Sequence, residues 1–251
     1  PGDRDGGHRH PLDASDLKPP LTAPPRSPFD LVIFDCDGVL IDSEIISARM
    51  LIAELARLGV HIDLAYVARH FLGRSYPTVM TQIRSEFQLD LPPDFEDRYR
   101  DRLLDAFRNE LMIMPGVSEI LDELAVPFCV ATSSSPRRVG MSLELTGLAD
   151  RTRGRVFTAS QVARGKPAPD LFLFAAAQMG HAPDRTLVIE DSLTGVRAAL
   201  AAGMTVWRFT GGSHFRQAAG GPETPADATP HRQFDDFAAF FHTAPGLRRP
   251  R

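Results

Sequence analysis

Five short runs of apolar residues, separated by stretches with helical spacing, leave this chain very few architectures. The runs are 31–34 (LVIF), 128–131 (FCVA), 156–157 (VF), 187–189 (LVI) and 204–207 (MTVW). A strand that is apolar at consecutive positions, rather than at every second one, is covered on both faces. Between the runs lie helical patterns at 118–124, 136–146, 169–179 and 192–202. Proline opens the third, serine caps the fourth, and Gly147 and Gly203 follow the second and fourth. Alternating strands and helices imply an α/β class, a Rossmann-like parallel sheet with helices on both faces. Ligands of such sheets gather at the carboxyl ends of the strands.

One segment breaks the alternation. Residues 45–111 read as purely helical, with apolar faces at Ile45, Ala48, Ile52 and Leu55, at Leu64, Val67, Ala68 and Phe71, and at Phe95, Tyr99, Leu103 and Phe107. This predicts an inserted all-helical cap domain at 45–111, able to close over a site and exclude water, on a catalytic core of 29–44 and 112–243. Residues 1–28, rich in Pro, Gly and charge, are expected to be a disordered tail. Residues 213–233 read as a polar loop, 234–241 as a short amphipathic helix, and 244–251 as a frayed C-terminus.

With 251 residues and 43% hydrophobic content the chain can bury a full core and a smaller lobe. A net charge of −4 gives no basic excess for nucleic acid, and no apolar run approaches a membrane span. Two cysteines, Cys36 and Cys129, make no disulfide framework. A reducing cytoplasm, no signal peptide and a monomer are expected. Cys36, beside an acidic pair, reads as a small buried hydrophobe, with a reactive thiol as the alternative.

The acidic pair is Asp35-Cys36-Asp37-Gly38, at the end of the first apolar run. Glu190-Asp191 follows another run. Alone, the latter reads as helix capping. Together the four carboxylates would repel one another at neighbouring strand ends. A hard divalent cation solves that problem, and oxygen-only ligands favour Mg²⁺ over zinc. Thr132 and Ser133, ending the second run, offer hydroxyls and N–H groups to phosphate oxygens. Lys166, in the proline-stiffened GKPAPD loop, can counter charge on phosphate and acids.

The segments DCDGVLID, ATSS, GKPAPD and IEDS resemble, in order and spacing, the four motifs of the haloacid dehalogenase superfamily. The resemblance spans about residues 29–210 and is closest to the β-phosphoglucomutase-like branch of sugar-phosphate phosphatases, which includes enzymes for 6-phosphogluconate. It implies that Asp35 is the nucleophile that becomes an aspartyl phosphate and Asp37 the general acid/base. It further implies that Asp35, the Asp37 carbonyl and Asp191 hold Mg²⁺, with Glu190 bound directly or through water. Thr132 then matches the phosphate-binding hydroxyl and Lys166 the charge-balancing lysine. True dehalogenases lack the second aspartate, so Asp37 argues for phosphate chemistry.

The partner implied is a small-molecule phosphate ester, with a sugar or sugar-acid phosphate expected and phosphoglycolate or nucleotides as alternatives. Arg49, Arg69, His70 and Arg74 are the cap candidates to contact it. A phosphosugar mutase is the competing reading. Mutases of this branch carry a cap histidine and a cap arginine where this chain has Ser47 and Tyr76. A non-catalytic binding protein on the same fold is the third.

Overall fold

The computed structural model describes residues 27–71, 74–217 and 224–250; the expected tail lies almost wholly outside them. In chain order the elements are β1 (Leu31–Phe34), α1 (Glu44–Ala56), α2 (Leu64–His70), α3 (Tyr76–Phe87), α4 (Phe95–Glu110), α5 (Val117–Glu123), β2 (Phe128–Thr132), α6 (Pro136–Leu145), α7 (Ala149–Thr152), β3 (Val156–Thr158), α8 (Asp170–Met179), β4 (Thr186–Glu190), α9 (Leu193–Ala201), β5 (Thr205–Phe209), α10 (Ser213–Gln217), β6 (Arg232–Phe234) and α11 (Phe240–Thr243).

All neighbouring strands pair in parallel, in the order β3-β2-β1-β4-β5-β6. The order reverses at β1, which pairs with both β2 and β4. That reversal opens a crevice at the carboxyl ends of β1 and β4, where open α/β sheets bind their ligands.

The apolar runs are explained by the two faces of the sheet. Leu31 and Ile33 join Cys129, Ala131, Val188 and Val206 against Leu171, Phe172, Ala175, Val196 and Ala199 of α8 and α9. Val32 and Phe34 face the other way, into a cluster with Val130, Leu187, Ile189 and Phe209. That second cluster continues without a break into Leu51, Leu55, Met80, Leu103 and Phe107 of the inserted helices.

In α1 the buried face is Ile46, Ser47, Ala48, Leu51, Glu54 and Leu55. It is turned by one residue from the expected face, leaving Ile45 and Ile52 half-buried. This rotation turns Ser47 inward and Arg49 outward.

The C-terminal region differs most from expectation. Segment 213–233 is not a single loop: it holds α10 and ends in a sixth strand, whose Trp207–Arg232 and Phe209–Phe234 pairings extend the sheet. The expected helix at 234–241 is a strand end, a single 3₁₀ turn at Phe237–Ala239, and the short α11. The segment 244–250 is docked, not frayed. Leu247 is fully buried, its carbonyl accepts from Ala125 N at 2.7 Å, and Arg249 N donates to Glu123 O at 2.8 Å. Burying one leucine contributes about 1.5–3 kcal/mol, enough to hold a short polar strap.

Candidate active site

β1 delivers Asp35 at its carboxyl end, and its N–H donates to Ile189 O of β4 at 2.9 Å. The chain then turns back on itself: Gly38 N donates to Ile41 O at 2.8 Å and Leu40 N to Cys36 O at 2.9 Å. Gly38 sits at φ +76°, and a Cβ there would stand 2.1 Å from Asp191 Oδ2. Glycine is therefore required both by the backbone conformation and by the approach of the second acidic pair.

Asp35, Glu190 and Asp191 offer carboxylate oxygens that all lie within 4.8 Å of one another, and all three residues are buried. Lys166, its side chain 1% exposed, donates to Asp35 Oδ1 at 2.8 Å, Glu190 Oε1 at 2.7 Å and Ala131 O at 3.0 Å. The other Glu190 oxygen accepts from Ser192 N and Ser192 Oγ, each at 2.9 Å. Both oxygens of Glu190 are thus engaged by the chain itself.

The charge balance of this cluster is uneven. Burial pushes the Asp35 and Asp191 carboxyls well above the carboxylate range, and neighbouring acids add to the rise. Burial would lower the Lys166 ammonium, but Asp35 and Glu190 outweigh it and keep the lysine charged. Asp191 Oδ2 is buried without an aligned hydrogen-bond donor. Three clustered carboxylates, one bonded lysine and an orphaned carboxylate oxygen fit a bound cation, and the all-oxygen donor set suits a hard one.

Asp37 is held differently. Ser43 Oγ (2.6 Å) and Arg138 Nη2 (2.7 Å) donate to its Oδ1, and Ser134 Oγ (2.6 Å) and Thr132 Oγ1 (3.5 Å) to its Oδ2. Burial alone would raise this carboxyl, but Arg138 and the hydroxyls outweigh it and hold it below the usual range. Arg138 Nη2 also donates to Ser47 Oγ at 3.0 Å, and the guanidinium lies over the Phe107 ring. It thereby ties α6 to α1 and α4.

Both aspartates line a cavity of about 360 Å³. Its floor carries Glu44, Thr132, Ser133 and Ser134, and its helical wall carries Leu51, Val67, Phe71, Val79, Leu103 and Leu104. Burial, then Asp37 and Asp191, push the Glu44 carboxyl up to about 8. Arg74 lines this cavity, with one Nη bonded to Gln82, and so do Tyr76 and Arg100, whose guanidinium lies over the Tyr76 ring. The Tyr76 hydroxyl is buried without a partner.

Arg49 is not brought here: it faces solvent and pairs with Glu110. Arg69 and His70 also lie outside the lining, and the His70 ring packs on Tyr66. The Cys36 thiol is fully buried and pushed strongly upward by burial and by both flanking aspartates, which removes the reactive-thiol alternative.

Arg138, Ser134, Ser43, Glu44 and His214 were not anticipated. Arg138 did leave a signal. A cation in the first turn of a helix opposes the helix dipole, so an arginine at 138, two residues after Pro136 opens α6, calls for a negative partner nearby.

Similar proteins carry the same architecture. A family description, haloacid dehalogenase-like hydrolase, matches residues 29–203. A 6-phosphogluconate phosphatase of Escherichia coli is 26% identical over 75% of this chain and 86% of its own length. A (DL)-glycerol-3-phosphatase of Arabidopsis thaliana is 33% identical over 70% of this chain and 77% of its own. A crystal structure of a HAD family hydrolase from Deinococcus radiodurans, with bound phosphate and sodium, superposes with a TM-score of 0.68. It is 35% identical and covers 90% of this chain and 100% of that one. With two strand-end aspartates lining one cavity, and a buried lysine and further clustered acids beside them, this chain belongs to the haloacid dehalogenase-like hydrolases and is a phosphatase of that family.

Proposed function

We propose that the protein is a Mg²⁺-dependent phosphatase of a small sugar or sugar-acid phosphate, working through a phosphorylated Asp35. The observation that carries this reading is the pairing of Asp35, bonded to Lys166, with Asp37, bonded to Arg138, on the floor of one cavity.

In the first step an Asp35 carboxylate oxygen forms a bond to phosphorus while the bond from phosphorus to the leaving oxygen breaks. Asp37 gives its proton to that oxygen. In the second step Asp37 takes a proton from water, water oxygen bonds to phosphorus, and the acyl phosphate P–O bond breaks. Inorganic phosphate leaves and Asp35 is restored. Thr132 and Ser133 hold phosphate oxygens, and Lys166 offsets charge on Asp35 and on the transferring group. Asp35, Asp191 and the Asp37 carbonyl would hold Mg²⁺, with Glu190, both of whose oxygens are taken, acting at longer range. When bound, the cation supplies positive charge against the phosphoryl oxygens.

The leaving group occupies the helical wall. Arg74 and Arg100 at its rim favour a substrate with a second anionic group, as in a sugar acid. The mutase reading is weakened because Ser47, at the histidine position, is a hydroxyl already engaged by Arg138.

The test is phosphate release, with Mg²⁺, from matched sugar, sugar-acid, polyol and nucleotide phosphates. Release concentrated on sugar-acid phosphates supports the reading. Conversion of glucose 1-phosphate to 6-phosphate without release would replace it by the mutase. Activity that survives complete removal of divalent metal would sink the Mg²⁺ assignment.

A further inference from the structure

Asp191 is approached twice by the segment that follows β5. Its backbone carbonyl accepts from Arg208 Nε at 2.9 Å. Its Oδ2 lies 3.2 Å from His214 Nε2, with the two side chains only 2% and 7% exposed. Neither nitrogen of the His214 ring, nor Asp191 Oδ2, has an aligned hydrogen-bond partner among the described residues, so the 3.2 Å contact is a close approach and not a formed hydrogen bond.

The ring is put there by several independent features. Ser213 N and Ser213 Oγ donate to Asp42 Oδ1 at 3.1 and 2.8 Å, tying the start of α10 to the loop after β1. A Cβ on Gly212 would stand 2.6 Å from the ring Cε1, so the ring uses space that any other residue would fill. Gly38 approaches the same ring carbon from the other direction, at 3.2 Å from an added Cβ. The ring is confined between two glycines, beside a carboxylate. The proposed chemistry gives this histidine no task.

We propose that His214 is a positioning residue for Asp191: the confined ring, with Nε2 3.2 Å from Oδ2, limits the rotation of the carboxylate and offers it an N–H, and so sets how tightly the site holds a divalent cation. The proposal rests on the reading of Asp191 as a Mg²⁺ ligand. A free carboxylate loses rotational freedom when it binds a cation. One already confined by a neighbouring ring has lost part of that freedom in folding. Outer partners of this kind are typically worth 10–100-fold in metal affinity.

The experiment is calorimetric titration of the metal-free protein with Mg²⁺ alone, for the parent, His214→Gln, His214→Met and His214→Ala. The glutamine amide can place an N–H near the Nε2 position. Methionine keeps volume without a donor, and alanine covers the case in which methionine does not fit. Thermal midpoints without metal establish which variants are folded. Folded Met or Ala variants should bind Mg²⁺ about 10–100-fold more weakly, while the Gln variant stays near the parent. The Mg²⁺ concentration for half-maximal activity should move in parallel. Equal Mg²⁺ affinity in the parent, the Gln variant and a folded donor-less variant would overturn the assignment and leave His214 as filler. A parent that binds no Mg²⁺ would overturn it together with the ligand reading beneath it.

Discussion

Asp35 and Asp37 stand two residues apart on one turn, yet the chain surrounds them in opposite ways. Asp35 shares a single bonded lysine with Glu190 and lies within a cluster that includes Asp191, so burial drives it toward its neutral form. Asp37 receives three hydroxyls and a guanidinium and is held anionic. In the proposed mechanism these are the wrong states. The nucleophile must be anionic and the acid must carry a proton. The difference teaches that the chain alone holds the site one step from readiness. A cation beside Asp35 favours its carboxylate, and a phosphate dianion beside Asp37 favours its proton.

The largest test of this contrast is Asp35→Asn. It should abolish turnover, by more than about 10⁴-fold in kcat, with the circular dichroism spectrum unchanged; measurable burst phosphorylation would remove the nucleophile role. Asp37→Asn should cost about 10²–10⁴-fold, and its phosphoenzyme should accumulate under acid quench if the second step suffers more than the first. Parental turnover would end the acid/base assignment.

Arg138→Met leaves Asp37 beside Ser134 and Ser43 without its cation. A buried pair broken on one side should cost about 3–5 kcal/mol, read as a shift in urea midpoint that added Mg²⁺ does not repair. An unchanged midpoint would mean that Arg138 contributes nothing net.

The smallest effect concerns pH. The folded-state pKa of Glu44 is raised from its ordinary 4.5 to about 8, so between those values the native state holds a proton that the unfolded chain has lost. Stability of the metal-free protein should therefore fall as pH rises through this window, at up to about 1.4 kcal/mol per pH unit for one proton. Asp35 and Asp191 add slope of the same sign. Glu44→Gln should flatten the profile between pH 5 and 8. A parent whose stability rises across that range would contradict the raised carboxyl.

Much of the sheet side of the site was legible because it follows from strand ends. Consecutive apolar residues mark a doubly covered strand, and the acid or hydroxyl that ends it must emerge at the carboxyl edge. Lys166 was legible through its stiff loop. On the cap side the helical insertion was legible, with α1 to α4 spanning 44–110, but its inward faces were not, because helical spacing leaves the facing direction uncertain by a residue. One residue of rotation in α1 exchanges Arg49 for Ser47 at the cavity. β6 escaped notice because Arg232 and Gln233 are exposed and Phe234 only half-buried, so an edge strand leaves no apolar run. The strap at 244–250 depends chiefly on Leu247, and one leucine among prolines and arginines carries no periodic signal.

Cys36 gives this turn a built-in clock. Its sulfur is wholly enclosed between the two aspartates, and its thiol is held protonated. A thiol-labelling reagent added to the native protein should reach it only during those rare excursions in which the turn lifts off the sheet. The rate of labelling would then report the free energy of that excursion. In a Cys129→Ala background, which leaves Cys36 as the one thiol, it could be measured with and without Mg²⁺ and phosphate at the heart of the site.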